Sequence, residues 1–189
     1  MGVLGMIVSM MVLAPAGCRQ EVLRDVAIQS PPEDVAAMSR PAPGDGRGRA
    51  ADPLLLAEAR ATPYGREILE TGRSMTLARD EIIRGGCWDY ANAVYNRAGY
   101  PDRKRKTVFK SRKAGPYADL GLIQPGDWLY YVNHWYGDIE HSAIFVDWVD
   151  FGAGEGLMLS YGGEKRREPA RYMVYDVSHT YMIIRPGKD

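Results

Sequence analysis

A chain of 189 residues, 46% hydrophobic and 25% charged, has the composition of a globular protein and room for one domain plus additional sequence. Its 24 basic residues balance 24 acidic ones, so overall charge gives no argument for binding nucleic acid or an anionic membrane surface. Two cysteines, Cys18 and Cys87, make no disulfide framework, and neither zinc-spaced cysteine pairs nor a phosphate-binding glycine loop is present.

In chain order, residues 1–17 are almost wholly apolar and too short a run for a membrane-spanning helix. They suit the apolar region of a secretory signal. Ala16-Gly17-Cys18 is similar to the end of a bacterial lipobox, which implies a lipid on Cys18 and an exported, membrane-anchored protein of the cell envelope. Residues 19–52, with Ser30-Pro31-Pro32 and Pro41-Ala42-Pro43-Gly44, read as a disordered Pro/Gly-rich tether. The folded domain is expected over 53–189.

Short helices are predicted over 53–60, 64–69 and 76–83. The strongest helical signal is 87–98, where Cys87, Ala91, Val94, Tyr95 and Ala98 share one face and Gly99 then Pro101 end the run. A basic loop over 103–113 follows, and with Lys165-Arg166-Arg167 it reads as solvated charge. From Pro125 the pattern turns to strands: 128–132, 141–149, 157–161, 172–175 and 181–184. Helices first and strands afterwards predict an α+β domain with an antiparallel sheet.

Three residues carry a chemical reading. Cys87 follows Gly85-Gly86 and opens a helix, whose N-terminal partial charge favours thiolate over thiol. Glycines there leave the first-turn N–H groups accessible, and the Cys87 N–H is a candidate oxyanion donor. The competing reading is a buried structural thiol on an apolar face. His141 heads an apolar strand and is the candidate base; His134, in an apparent hairpin loop, reads as a surface or binding residue. Ser160, at the end of the third strand, is the first choice for the group that orients the imidazole, with Tyr161 and His179 as alternatives. Trp128, Tyr130, Tyr131, Trp135 and Tyr136 are candidates to line a groove for a sugar or peptide.

Gly86-Cys87-Trp88-Asp89-Tyr90-Ala91, Leu122-Ile123-Gln124-Pro125-Gly126-Asp127-Trp128 and His141-Ser142-Ala143-Ile144-Phe145-Val146 together resemble the NlpC/P60 and CHAP group of papain-like cysteine hydrolases. The resemblance spans roughly residues 80–186. It implies a papain-like α+β fold with N-terminal helices on an antiparallel sheet, Cys87 as nucleophile, His141 as base and Ser160 near the third catalytic position. It also implies hydrolysis of a peptide or amide bond, commonly in peptidoglycan, by a monomer with no metal or other cofactor. Trp88 beside the cysteine and a neutral serine at the third position support the alternative, a catalytically silent envelope lipoprotein that binds cell-wall glycan or a partner protein. A secreted effector acting on a protein or lipid amide is a third expectation.

Overall fold

The computed structural model describes residues 52–134 and 137–187. The expected signal, the lipid site at Cys18 and all but the last residue of the tether lie outside the described residues. So do the groove candidates Trp135 and Tyr136.

Three helices come first: α1 (Pro53–Arg60), α2 (Pro63–Arg73) and α3 (Cys87–Arg97). Asp52 and Thr62 cap α1 and α2 by accepting from the N–H groups of Leu54 and Gly65, and each helix begins with proline. Both features satisfy or remove orphan donors at a helix start. Six strands follow: β1 (Arg105–Lys110), β2 (Trp128–Asn133), β3 (Ile139–Asp150), β4 (Glu155–Ser160), β5 (Arg171–Asp176) and β6 (Thr180–Pro186). They form one antiparallel sheet in the order β1-β6-β2-β3-β4-β5. The architecture is α+β, as the order of patterns predicts.

Each face of the sheet is covered, which strand alternation permits. On the helical side Ile68, Leu69, Met75, Tyr90, Ala91, Val94 and Tyr95 pack against Trp128, Ile144, Val146, Leu159 and Tyr161. On the other, Leu129, Tyr131, Ala143, Phe145, Met158 and Ile183 pack beneath Ala118 and Ile123.

Two predicted elements differ from the structure. The helix expected over 76–83 is instead a single π-turn, Ser74–Ala78, continuing α2. Asp80 then takes a positive φ of 47°, which a helix does not accommodate. The reason is tertiary: Thr76 Oγ1 bonds the Tyr90 hydroxyl at 2.9 Å, and Glu81 pairs with both Arg79 and Arg97, drawing the chain toward α3. The basic segment expected as a loop over 103–113 forms strand β1 over residues 105–110, an edge strand paired to β6 alone. Its charged residues suit an edge, where one face and one rim meet water.

The Pro125-Gly126-Asp127 turn is a structural anchor. Gly126 has φ +93°, and a Cβ there would run into the backbone of Gly65 in α2. The Tyr95 hydroxyl donates to the carbonyls of Gly126 (2.7 Å) and Ile184 (3.0 Å), tying α3 to the turn and to β6. Asp127 is buried and takes both arms of Arg185 at 2.7 Å. These contacts fix the start of β2, and through the β2–β3 ladder the position of His141 opposite Tyr131.

Candidate active site

Cys87 is the first residue of α3 and is half-buried. The turn before it is held by charge: the Asp89 carboxylate accepts from the Gly86 N–H at 2.7 Å. Gly85 has φ +106°, and a side chain there would overlap that carboxylate. Gly86 faces open space. One glycine is therefore required by the cap, and the other leaves the approach to the sulfur clear.

Around the sulfur stand groups from the start of β3. Burial pushes the Cys87 thiol up. His141, by hydrogen bonding and by charge, and Ser142, through its hydroxyl and its backbone N–H, outweigh that effect and bring it down to about 7. The Ser142 hydroxyl falls short of full bonding geometry: Oγ is buried with no hydrogen-bond partner among the described residues. The other ring nitrogen of His141 is engaged, Nε2 lying 2.8 Å from Ser160 Oγ. That leaves Nδ1 for the thiol proton.

Behind Ser160 the chain of polar groups continues. Ser160 Oγ lies 3.1 Å from the Tyr175 hydroxyl, which donates to Met173 Sδ at 3.7 Å. With the ring protonated, every proton has a place in one direction: Nε2–H to Ser160, Ser160 to Tyr175, Tyr175 to Met173. The ring also packs edge-on against Tyr131, with centroids 5.7 Å apart. The arrangement is a thiol, an imidazole and a chain of neutral groups behind the ring, with no carboxylate bonded to the imidazole among the described residues.

The structure thus brings Cys87, His141 and Ser160 together. The two alternatives for the third position are engaged elsewhere. Tyr161 donates to the Ile83 carbonyl at 2.7 Å, and His179 Nδ1 pairs with Ser178 Oγ at 3.0 Å beside His134. His134 is exposed and contacts Asp138. Sequence reasoning did not single out Ser142 or Tyr175. The signal for Ser142 was its place beside His141 at a strand start. Tyr175 reaches Ser160 only through the β4–β5 pairing.

A cavity of about 230 Å³ is lined by Trp88, the residue after Cys87, together with Asp102, Arg105, Thr107, Trp128, Tyr130 and Ile184. Trp88 is 48% exposed and leans on Trp128 with centroids 5.7 Å apart; Trp128 stacks in turn on Tyr130 at 5.3 Å. Burial pushes the Tyr130 phenol up to about 12, so it offers a neutral hydroxyl. Of the expected groove aromatics, Trp128 and Tyr130 line this cavity, whereas Tyr131 belongs to the core of the opposite face. A larger hollow of about 470 Å³, lined by Glu70, Thr71, Ser74, Arg79 and Arg97, includes none of the site residues. Among the described residues no group of three or more His, Cys, Asp or Glu side chains is placed to hold a metal ion. No helix among them is long and apolar enough to cross a membrane.

Compared with known protein families, with curated proteins and with solved structures, the chain matches none.

Proposed function

We propose that this protein is a cysteine hydrolase of the NlpC/P60-like, papain-like type, cleaving a peptide or amide bond. The observation that carries the reading is the meeting, at the first turn of α3, of a thiol brought down to about 7 with an imidazole whose far nitrogen is already held by Ser160. A thiol kept only for packing would show the opposite shift, because burial by itself disfavours the thiolate.

The chemistry proceeds from those positions. Cys87 Sγ gives its proton to His141 Nδ1, and the thiolate attacks the scissile carbonyl carbon. The carbonyl electron pair moves to oxygen, where the Cys87 N–H, in a helical turn that offers it no carbonyl partner, donates a hydrogen bond. Collapse expels the amine, which takes the proton from His141 Nδ1 and leaves a thioester. His141 then removes a proton from water, the hydroxide adds to the thioester, and the thiolate departs with the carboxylic acid product released.

The substrate class we infer is the peptidoglycan stem peptide or its amide link to the sugar, with the Trp88–Trp128–Tyr130 cavity receiving an adjoining residue or ring. Export and anchoring through Cys18 would place the enzyme at that substrate. The test is release of soluble muropeptides from purified sacculi by the wild type and by Cys87→Ala. Release by the wild type alone supports the reading. Equal release by both removes it. Binding to sacculi without release by either favours the silent glycan-binding alternative, for which the exposed Trp88 and the neutral Ser160 speak.

A further inference from the structure

Strand β3 alternates its side chains between the two cores. Ile144 and Val146 belong to the helical side, so Ser142 lies on the same face, beneath the start of α3. The β3–β4 ladder ends at Ile144↔Leu159, whereas β3 remains paired to β2 through Ser142 and His141. Beyond that last β4 pair Ser142 has no strand partner on that side among the described residues, and its N–H and hydroxyl are among the groups that bring the Cys87 thiol down. Ser142 is 4% exposed, and its Oγ has no partner at bonding geometry among the described residues. A buried hydroxyl left without a partner is costly unless a strong acceptor comes to it.

Resting on the reading of Cys87 as nucleophile, we propose that Ser142 is a further catalytic residue whose hydroxyl donates to the Cys87 thiolate and holds it charged between turnovers. The charge balance explains why the site needs it. A thiolate–imidazolium pair can be stabilised from either end. Among the described residues, the hydrogen-bonded groups on the imidazolium side are the neutral Ser160, Tyr175 and Met173. The stabilisation therefore sits on the sulfur side, from the Ser142 N–H, the Ser142 hydroxyl and the helix start. The Ser142 proton stays on its oxygen throughout; only the thiol proton moves, to His141. Once sulfur is acylated the hydroxyl loses its anionic acceptor, and it regains one when the thiolate leaves, so the same contact favours deacylation.

The other titratable groups that act with the sulfur are the phenols of Tyr130 and Tyr131 on β2 and Tyr181 on β6. Glu140, next to His141, is engaged by Lys113 and Tyr181. Burial holds all three phenols above their ordinary range, and with Glu140 paired none of these groups accounts for a neutral-pH titration of Cys87.

The experiment is the rate of Cys87 alkylation by iodoacetamide against pH, followed by mass spectrometry, in the full chain and in Ser142→Thr, Ser142→Val and Ser142→Ala. Threonine and valine match in shape and differ in the hydroxyl. The threonine variant should titrate with the wild type. The valine and alanine variants should titrate about one pH unit higher, the equivalent of one charge-assisted hydrogen bond, and react about tenfold more slowly at pH 6. Titration of these two with the wild type overturns the proposal. Alanine, smaller than serine, carries the comparison should valine disturb the fold. Alkylation needs no substrate, so failure here leaves hydrolysis standing, and failure of hydrolysis leaves this result standing.

Discussion

Replacing Ser160 by alanine tests how much a neutral orienting chain contributes. The substitution removes the oxygen 2.8 Å from His141 Nε2 and cuts the link to Tyr175. The backbone pairing of residue 160 with Arg171 does not depend on the side chain, so the sheet should persist. A hydrogen bond to an ionised group contributes about 1.5–3 kcal/mol and a neutral one about 1 kcal/mol. The imidazolium form therefore loses about 1 kcal/mol more than the neutral ring. At about 1.4 kcal/mol per pH unit, that raises the thiol by roughly 0.7 units and cuts the ion pair about fivefold. Freer rotation of the ring adds to the loss. Near pH 6, kcat/KM should fall about five- to tenfold. Tyr175→Phe, which leaves Ser160 in place, should cost about twofold. The assays are the pH–rate profile on sacculi or a peptide amide, the pH dependence of Cys87 alkylation, and thermal unfolding as a check on folding. A Ser160→Ala variant within twofold of the wild type, with an unmoved alkylation profile, would refute the role given to this chain of hydrogen bonds.

Further outcomes follow from the turn before Cys87 and from the buried ion pair. Gly85→Ala puts a Cβ at φ +106° and against the Asp89 carboxylate. The left-handed backbone costs about 1–2 kcal/mol and loss of the charged cap about 1.5–3 kcal/mol, so urea unfolding should show a loss of about 3 kcal/mol or more; Gly86→Ala, facing open space, should lose less than about 1 kcal/mol. Arg185→Met leaves Asp127 buried without its guanidinium, and the same assay should show a loss of about 3–5 kcal/mol.

Sequence periodicity located the parts of the site that local pattern controls. Cys87 stands at the head of the helix with the strongest signal in the sequence, and Ala91, Val94 and Tyr95 are indeed buried behind it. His141 is the third residue of β3, a strand whose central residues are apolar on both faces, as expected of a strand packed on two sides. What was not legible depends on register and on tertiary pull. Strand β1 carries only Val108 and Phe109 as apolar residues among Arg105, Lys106, Thr107 and Lys110, so it lacks a strand signature until β6 pairs with it. The stretch after Met75 has helical composition, yet the Thr76–Tyr90 hydrogen bond and the Glu81 ion pairs redirect it. Ser142 and Tyr175 join the site because strand pairing and strand alternation bring them there, and no local spacing encodes that meeting.

The proposed chemistry needs an ionised sulfur, and the ring of His141 is the largest of the influences that bring the Cys87 thiol down. The most direct measurement is the pH dependence of Cys87 alkylation in the wild type and in His141→Ala, with the modified cysteine located by mass spectrometry. The account predicts an inflection near pH 7 in the wild type, with reactivity falling about tenfold per unit below it as the thiol takes up its proton. It predicts a shift to pH 8.5 or above without the imidazole, because burial then dominates. Coincident profiles, or a wild-type inflection already above pH 8.5, would contradict it.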